Sequence, residues 1–416
     1  MNESNAASEA SSGGGWWNRT VLGAGLTSFL ADLCYEAVLS VLPHFLAILQ
    51  LPVAFLGMME GTADALSSFV KLGAGWWSDR IGRRKPLVIF GYAVTGAMSL
   101  FIAVAISWPI ILLGRLLAWF GKGIRGPLRN AMISDAVSKE DRGKAFGLHR
   151  AGDTLGATAG PLLAAWFIDR WPSVLFSDPT YNYRWLFLLT AIPGFLSALT
   201  FALTVPEKRN PNPPQRKLWA SIASLPRGFR TWLIGVGVFG VGDFSHTLLI
   251  VAATELLKAD FGPQRAMALA TMLYAGRNVA HVVAALVVGG VSDRLGRRPL
   301  LVIGYLTGVV TMVGFAASFV LGATLISMIL LFALAGIYLA IEETIEPAMT
   351  ADLVADSTLR GTAFGVLGVV NGFGDLVSSV VVGALWLVNP IYGFGFAAVM
   401  MFLGTSILFR KQRAST

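Results

Sequence analysis

Residues 75–85 read Gly75-Trp-Trp-Ser-Asp79-Arg80-Ile-Gly82-Arg83-Arg84-Lys85, and residues 289–298 repeat the pattern as Gly289-Gly-Val-Ser-Asp293-Arg294-Leu-Gly296-Arg297-Arg298. Each copy places an acidic residue, a turn glycine and several arginines between two long apolar segments. Because such a cluster of charges is unfavourable in hydrocarbon, each copy must form a tight loop on the side of the membrane that retains arginine. The repeated stretch therefore predicts a membrane protein with two related halves.

The composition supports this prediction. The chain has 416 residues, of which 55% are hydrophobic and 13% charged, whereas soluble domains contain roughly 25% charged residues. The net charge of +8 does not indicate nucleic-acid binding, because Lys and Arg concentrate in short loops on one side. The single cysteine, Cys34, lies inside the first apolar segment and excludes a disulfide framework and a cysteine zinc site. No metal site is predicted.

Cutting the sequence at its polar loops gives twelve apolar segments, each long enough for a crossing of roughly 20 residues. Their approximate bounds are 20–49, 53–78, 87–107, 109–136, 143–169, 185–205, 231–257, 265–291, 299–321, 323–354, 361–388 and 390–409. Loops after the even-numbered segments hold most of the Lys and Arg, so these loops and both termini are predicted to be cytoplasmic. We expect residues 1–19 to be a disordered cytoplasmic tail and 410–416 a second cytoplasmic tail.

Residues 206–230, rich in proline and basic residues, divide the twelve segments into six and six. We interpret them as a cytoplasmic linker between an N-terminal bundle, 20–205, and a C-terminal bundle, 231–409. Arg142-Gly-Lys-Ala-Phe-Gly147 before segment 5 matches Arg360-Gly-Thr-Ala-Phe-Gly365 before segment 11. The halves are therefore copies of one six-helix unit, and a binding site is expected at the midplane between them.

The paired loops resemble the G-x-x-x-D-R-x-G-R-[KR] signature of the major facilitator superfamily, which lies between helices 2 and 3 and again between helices 8 and 9. The resemblance implies an all-α integral membrane fold of twelve transmembrane helices in two pseudo-symmetric six-helix bundles. It also implies that the loops form a cytoplasmic gate, in which each Asp faces a helix N-terminus of the opposite half. The gating residues implied are Asp79, Arg80, Gly82, Arg83, Asp293, Arg294, Gly296 and Arg297.

Two further motifs resemble the drug and metabolite:proton antiporters of that family. Arg115 is placed like a span-4 arginine that those antiporters associate with proton coupling, although Trp119 replaces the expected glycine. Residues 156–165 resemble G-x-x-x-G-P-x-x-G-G, with alanines for the last two glycines. Small residues spaced by four would let segment 5 approach a helix of the other half, while a proline bends it. Gly156, Gly160 and Pro161 join the gating set, and generic small-residue packing is the alternative.

Many ionisable side chains lie inside the apolar segments. Each would cost roughly 2.5–3.5 kcal/mol at the bilayer centre if it faced lipid, so they must face a shared aqueous cavity or one another. Arg115, Lys122, Arg125 and Arg129 fall within an arc of about 80° on segment 4. The substrate-binding candidates are Arg125, Arg129, Lys122, Glu342, Glu346, Asp64, His149, Asp153, Arg277, Asn371 and Asp375.

Aligning Ala131-Met132 with Ala348-Met349 puts Arg125 and Arg129 at positions equivalent to Glu342 and Glu346. In one interpretation, the arginines hold an anionic group of a substrate, and the glutamates hold its cationic part, a metal that it carries or a proton. In the other, these residues form interhelical salt bridges that stabilise one gate state and contact no substrate.

Coupling to protons requires a carboxylate whose neighbours change as access alternates. Asp32, Glu36 and Asp243 lie near the middle of segments 1 and 7, and they are the proton-coupling candidates together with Arg115.

The sequence thus predicts a secondary active transporter and, in the absence of a nucleophile triad or phosphate loop, no enzyme. The preferred function is proton-coupled efflux of a small polar or charged solute by antiport. Alternatives are proton-coupled uptake of an organic anion or metal chelate, and a membrane sensor that uses this fold without transport. We expect no cofactor, with the proton gradient as energy source. We also expect a monomer in a bacterial inner membrane that binds a small-molecule substrate and the lipid bilayer but no nucleic acid.

Overall fold

The structure is a computed structural model that describes residues 15–50, 53–170, 180–210, 213, 215–244 and 247–413. Residues 1–14 of the tail predicted to be disordered (1–19) and residues 414–416 of the second predicted tail (410–416) lie outside the described residues. The side chains of residues 53–65 are also outside them, so the prediction for Asp64 has no structural counterpart.

The described residues form helices and contain no β-strand. The first half consists of α1 (Arg19–Ile48), α2 (Val53–Ile81), α3 (Lys85–Ala103), α4 (Trp108–Asp135), α5 (Arg142–Arg170) and α6 (Tyr181–Thr204). The linker carries a short helix, α7 (Leu218–Ala223). The second half consists of α8 (Arg227–Gly240), α9 (Thr247–Phe261), α10 (Pro263–Leu295), α11 (Arg297–Leu321), α12 (Leu325–Leu353), α13 (Arg360–Val388) and α14 (Pro390–Arg413).

Helices α8 and α9 together form the seventh span, so the chain has the predicted twelve spans in two six-helix bundles. Among the described residues, eight helices are long and apolar enough to cross a membrane by length and composition alone. Helices α4 and α5, which carry buried charged side chains, are not among the eight. The halves meet in a pseudo-symmetric way, since α5 packs against α10 and α2 packs against α13.

The seventh span is broken, although the sequence predicted one segment from 231 to 257. Helix α8 ends at Gly240, and a turn follows in which the N–H groups of Gly242 and Asp243 bond back to carbonyl oxygens at 2.8 and 2.9 Å. A Cβ atom on Gly242 would lie 2.5 Å from the carbonyl oxygen of Ala397 on α14. The close approach to α14 therefore requires glycine here, and the break places Asp243 between two helix ends.

The repeated charged stretch is more helical than predicted. Asp79 and Asp293 lie in the last turns of α2 and α10, because both helices continue past the arginine that follows each of them. The turns themselves depend on Gly82 and Gly296, whose φ angles of 64° and 89° lie in the left-handed region that favours glycine. The prediction of a loop was wrong for the two aspartates, and it was correct for the turn glycines.

Gly156 and Gly160 pack against α1 of the same half. A Cβ atom on Gly156 would lie 2.3 Å from the carbonyl oxygen of Phe29, and one on Gly160 would lie 2.8 Å from a backbone nitrogen of α1. The prediction that these glycines bring α5 against the other half was therefore wrong. That contact lies nearer the start of α5, where Gly143 and Gly147 meet the backbone of α10.

Candidate functional site

The carboxylate of Asp79 on α2 caps the N-terminus of α13 in the opposite half. Its Oδ1 atom accepts a hydrogen bond from the N–H of Gly361 at 3.1 Å, and its Oδ2 atom accepts from the N–H and hydroxyl of Thr362 at 2.7 and 2.9 Å. The first N–H groups of a helix have no partner within the helix and carry partial positive charge. The contact therefore stabilises the carboxylate and ties the two halves together.

Asp293 on α10 makes the equivalent contact with the N-terminus of α5. Its carboxylate oxygens accept hydrogen bonds from the N–H groups of Gly143 and Lys144 at 2.9 and 3.0 Å. The two repeated aspartates thus cap the two repeated Arg-Gly helix starts, each across the boundary between the halves.

The first glycine of each charged stretch allows the backbones to approach this closely. A Cβ atom on Gly75 would lie 2.1 Å from the carbonyl oxygen of Gly361. In the second copy, a Cβ atom on Gly289 would lie 2.6 Å from the carbonyl oxygen of Gly143. Any larger residue at these positions would push the halves apart on the arginine-rich side.

Arginine–aspartate pairs surround each capped helix start. Arg84 bonds to Asp79 at 3.0 Å and to Asp135 at 2.6 Å, and Arg360 also pairs with Asp135. Burial disfavours the charge of Arg84, but attraction to Asp79 and Asp135 outweighs that effect and raises its pKa.

The other half repeats this arrangement around Asp352. Arg297 pairs with Asp293 at 3.1 Å and also with Asp352, while Arg142 bonds to Asp352 at 2.7 Å. Sequence reasoning missed Asp135 and Asp352. The signal was present, because the alignment that pairs Met132 with Met349 also pairs these two aspartates.

Phe146 and Phe364 occupy the centre of the closed side. They are equivalent residues of the two Arg-Gly-x-Ala-Phe-Gly motifs, and their ring centroids lie 6.2 Å apart. Both belong to a buried cluster that draws on the two halves, together with Ala131 and its counterpart Ala348. The capped helices, the ion pairs and this cluster close the arginine-rich side, and we call them the gate.

Six residues predicted for gating lie outside the gate contacts. Arg83 and Arg294 are exposed, and the guanidinium of Arg80 lies 5.5 Å from the ring centroid of Trp76. Gly156, Gly160 and Pro161 lie along α5, away from the gate contacts near its N-terminus.

The cations of α4 are held within the first half. Arg125 lies 3.5 Å from Asp32, and its guanidinium lies 4.4 Å from the ring centroid of Tyr92. Arg129 donates hydrogen bonds to Ser28 and to the Tyr92 hydroxyl at 3.1 and 3.3 Å. Both arginines are buried. The structure thus pairs them with α1 and α3, and not with the glutamates at the equivalent positions of the second half.

The remaining predicted residues of this half lie around the same helices. His149 is buried, with Nε2 at 2.8 Å from the Ser28 hydroxyl. Arg115 has 0% exposure, and Arg115 and Lys122 lie 5.1 and 5.0 Å from the ring centroid of Tyr35.

In the second half, Glu342 and Glu346 of α12 bond to hydroxyl, amide or carboxyl groups. Glu346 accepts hydrogen bonds from the hydroxyl of Tyr305 at 2.5 Å and from the amide of Asn371 at 2.8 Å. Asp243 accepts from the hydroxyl of Tyr338 at 3.1 Å, and its carboxyl group also contacts that of Glu342. Within the described residues, no Lys, Arg or His forms an ion pair with Glu342 or Glu346.

Two tyrosines show how the repeat has diverged. Tyr92 and Tyr305 each lie six residues after the proline that follows the charged stretch. Tyr92 accepts a hydrogen bond from Arg129, whereas Tyr305 donates one to Glu346, the residue equivalent to Arg129. The same scaffold position thus holds opposite charges in the two halves.

One charged network joins the halves in the interior. Arg150 on α5 bonds to Asp153 at 2.6 Å and lies 3.1 Å from Glu343 on α12. His281 on α10 lies 3.2 Å from the same Glu343 oxygen. The side chains of Arg150 and Glu343 are 22% and 29% exposed, and every other residue from 340 to 351 is buried. We call Arg150, Asp153, His281 and Glu343 the central network.

Sequence reasoning chose Asp153 as a candidate but did not choose Arg150, His281 or Glu343. Arg150 follows His149 directly and Glu343 follows Glu342, so neighbours of the chosen residues face the opposite half. The remaining candidates are dispersed. Arg277 is buried with its guanidinium 4.9 Å from the ring centroid of Tyr274, Glu36 is half-buried, and Asp375 is exposed.

The chain matches the Major Facilitator Superfamily over residues 24–244 and 235–416. An uncharacterized MFS-type transporter of Methanocaldococcus jannaschii is 30% identical over 386 residues, covering 92% of each chain. Multidrug resistance protein 2 of Bacillus subtilis is 22% identical, covering 91% of this chain and 92% of that protein.

Solved structures share the fold. A human organic anion transporter aligns with a TM-score of 0.70 and 17% identity, over 94% of this chain and 99% of that one. A proton:xylose symporter aligns with a TM-score of 0.72 and 17% identity, over 94% and 95% of the two chains.

The gate geometry predicts the effect of neutralising both capping aspartates. In a Cys34→Ser background with Ala348→Cys as reporter, we expect Asp79→Asn with Asp293→Asn to speed modification of the buried thiol by a soluble maleimide at least about tenfold. The reason is that charges at helix N-termini stabilise by up to about 2 kcal/mol in partly buried sites. Glu140→Gln, an exposed change on the same side, is the control. Equal rates in the double variant and the control would contradict this role of the aspartates.

Proposed function

The chain belongs to the major facilitator superfamily, and we propose that it exports a small polar or charged solute by alternating access in exchange for protons. Its relatives of known class are transporters, and the fold places a charged interior between two bundles. The gate contacts hold one side closed, so alternating access requires exchange with the opposite side while these contacts persist.

The central network is the observation that carries the proposal. It lies between the halves, and Arg150 and Glu343 are its most exposed members. In a largely buried ion pair, removing one partner is costly because the other charge is left unpaired. A substrate that offers its own charged group can therefore replace one member, because the remaining charge stays paired.

We assign Arg150 to the anionic group of the substrate. Its guanidinium holds two carboxylates, and planar guanidinium groups bind carboxylates and phosphates through two parallel hydrogen bonds. When the substrate displaces Glu343 from Arg150, His281 remains beside Glu343. Arg125 and Arg129 then position α1 and α3 and do not contact the substrate in this state.

We assign proton coupling to Asp243 and Glu342, with Asp32 and Glu36 as the candidates of the first half. Two carboxyl groups in contact repel strongly if both are ionised, so a shared proton is the stable arrangement. Asp243 lies in the break between α8 and α9, where a change in backbone conformation would separate it from Glu342. Separation would release the proton as the halves rearrange.

Efflux is supported by the motif at 156–165 and by the similarity to a multidrug resistance protein. Proton-coupled uptake of an organic anion is the second candidate, because the guanidinium of Arg150 would bind an anionic group in either direction of transport. For either direction we place the basic loops and both termini in the cytoplasm of a bacterial cell, because arginine-rich loops are retained there.

A transport assay tests the function directly. A melting-shift screen of organic anions and zwitterions on the purified protein would supply ligands for counterflow in proteoliposomes. We expect counterflow for the native protein and a loss of at least about tenfold for Arg150→Gln, with Arg83→Gln as an exposed control. Absence of counterflow with every stabilising ligand would favour the non-transporting sensor, and normal counterflow in Arg150→Gln would exclude the assigned contact.

Proton coupling has its own test. Glu342→Gln keeps a hydrogen-bonding group beside Asp243 but cannot release a proton. We expect this variant to retain counterflow, while an imposed pH gradient no longer drives net transport. Asp243→Asn should behave in the same way, and Glu140→Gln serves as the control. Native gradient-driven transport in both variants would remove this pair from the coupling mechanism and leave Asp32 and Glu36.

A further inference from the structure

A cavity lies at the edge of the first half, on the arginine-rich side, beside the gate. It has a volume of about 320 Å³ and is formed by the starts of α1 and α3 and the segment that follows α6. Among the residues that the structure describes, its charged lining residues are Arg19, Lys85 and Lys208, and none of its lining residues is a carboxylate. The cavity itself therefore presents three positive charges, and the carboxylates of Asp135 and Glu207 line a smaller cavity that adjoins it.

These cations keep free hydrogen-bonding capacity. Arg19 donates to the carbonyl oxygen of Leu203 at 2.6 Å, and Lys208 donates to that of Asp135 at 2.6 Å. A guanidinium has five N–H donors and an ammonium has three, so most donors of both side chains remain available. The nearby Glu207 accepts hydrogen bonds from the backbone N–H groups of Arg84 and Lys85 at 3.3 and 3.1 Å.

An apolar surface leads directly to this cavity. Ile192, Leu196, Leu199 and Leu203 are exposed and recur every three or four residues, so they form one lipid-facing stripe along α6. Leu203, which is 63% exposed, also lines the cavity. On α1, the exposed side chains of Leu22 and Leu26 flank the same region.

The position along the membrane normal fits a lipid headgroup. Trp17, which is 62% exposed, precedes Arg19, and tryptophan concentrates at membrane–water interfaces. Basic pockets between helix ends on the cytoplasmic side bind anionic headgroups. A zwitterionic headgroup would bring a positive charge towards Arg19, Lys85 and Lys208, which favours an anionic lipid.

We propose that this cavity binds the phosphate of an anionic phospholipid whose acyl chain lies along the apolar stripe of α6. The bound lipid would connect α1, α3 and α6 at one end of the first half. Lys208 also lines the larger cavity of about 520 Å³ at the gate, so the lipid site adjoins the gate.

Lipid retention measured by native mass spectrometry tests the proposal on the full-length purified protein. The probe is phosphatidylglycerol, compared with phosphatidylcholine and with soluble glycerol phosphate. We expect selective retention of phosphatidylglycerol and about thirtyfold weaker binding in Arg19→Gln with Lys85→Gln, from the contribution of each charge near the membrane surface. Lys208→Gln alone should weaken binding about fivefold.

The matched control is Arg83→Gln with Lys139→Gln, which removes two exposed charges on the same side outside the cavity. Unchanged retention in the control supports the site. Equal losses in the two double variants would indicate a general surface attraction and overturn it. If glycerol phosphate displaced phosphatidylglycerol at an equal concentration, the site would bind a soluble ligand. If phosphatidylcholine were retained as well as phosphatidylglycerol, the site would have no headgroup selectivity. Each of the last three results would contradict the proposal, and none of the measurements depends on transport.

Discussion

Two carboxylates, each capping a helix of the opposite half, hold this structure in its observed arrangement. Asp79 and Asp293 replace the missing intrahelical partners of the first N–H groups of α13 and α5. Burying charge in this way is favourable only while both helix ends stay within hydrogen-bonding distance. The same contacts therefore define a closed state. The halves can separate on this side only if both helix starts move away from their capping aspartates.

The two halves share a scaffold and differ in charge. Equivalent tyrosines bond to Arg129 in the first half and to Glu346 in the second, so duplication preserved the hydrogen-bonding geometry while the ionised partner changed sign. Opposite charges on either side of a shared interior suit a solute that carries an anionic group and exchanges with protons. The central network, which both halves contribute, lies where these two environments meet.

Much of the fold followed from the sequence, because apolar length, loop charge and repetition are local features that the bilayer selects strongly. The break at Asp243 did not, since it depends on the approach of α14 to Gly242. The partners of the buried charged side chains were even harder to predict from the sequence. Helical periodicity placed the cations of α4 on one face but could not show that Asp32 and Tyr92 of the same half would hold Arg125. Arg150 and Glu343 were missed for a similar reason, because exposure to the opposite half is decided by packing between helices.

Paired spin-label distances measure most directly whether the two halves alternate around this interior. Labels at Arg83 and Arg294 report the arginine-rich side, and labels at Ile106 and Leu321, both exposed, report the other. The account predicts that Asp79→Asn with Asp293→Asn lengthens the first distance and shortens the second in the same sample. Two distances that stay unchanged, or that lengthen together, would contradict it.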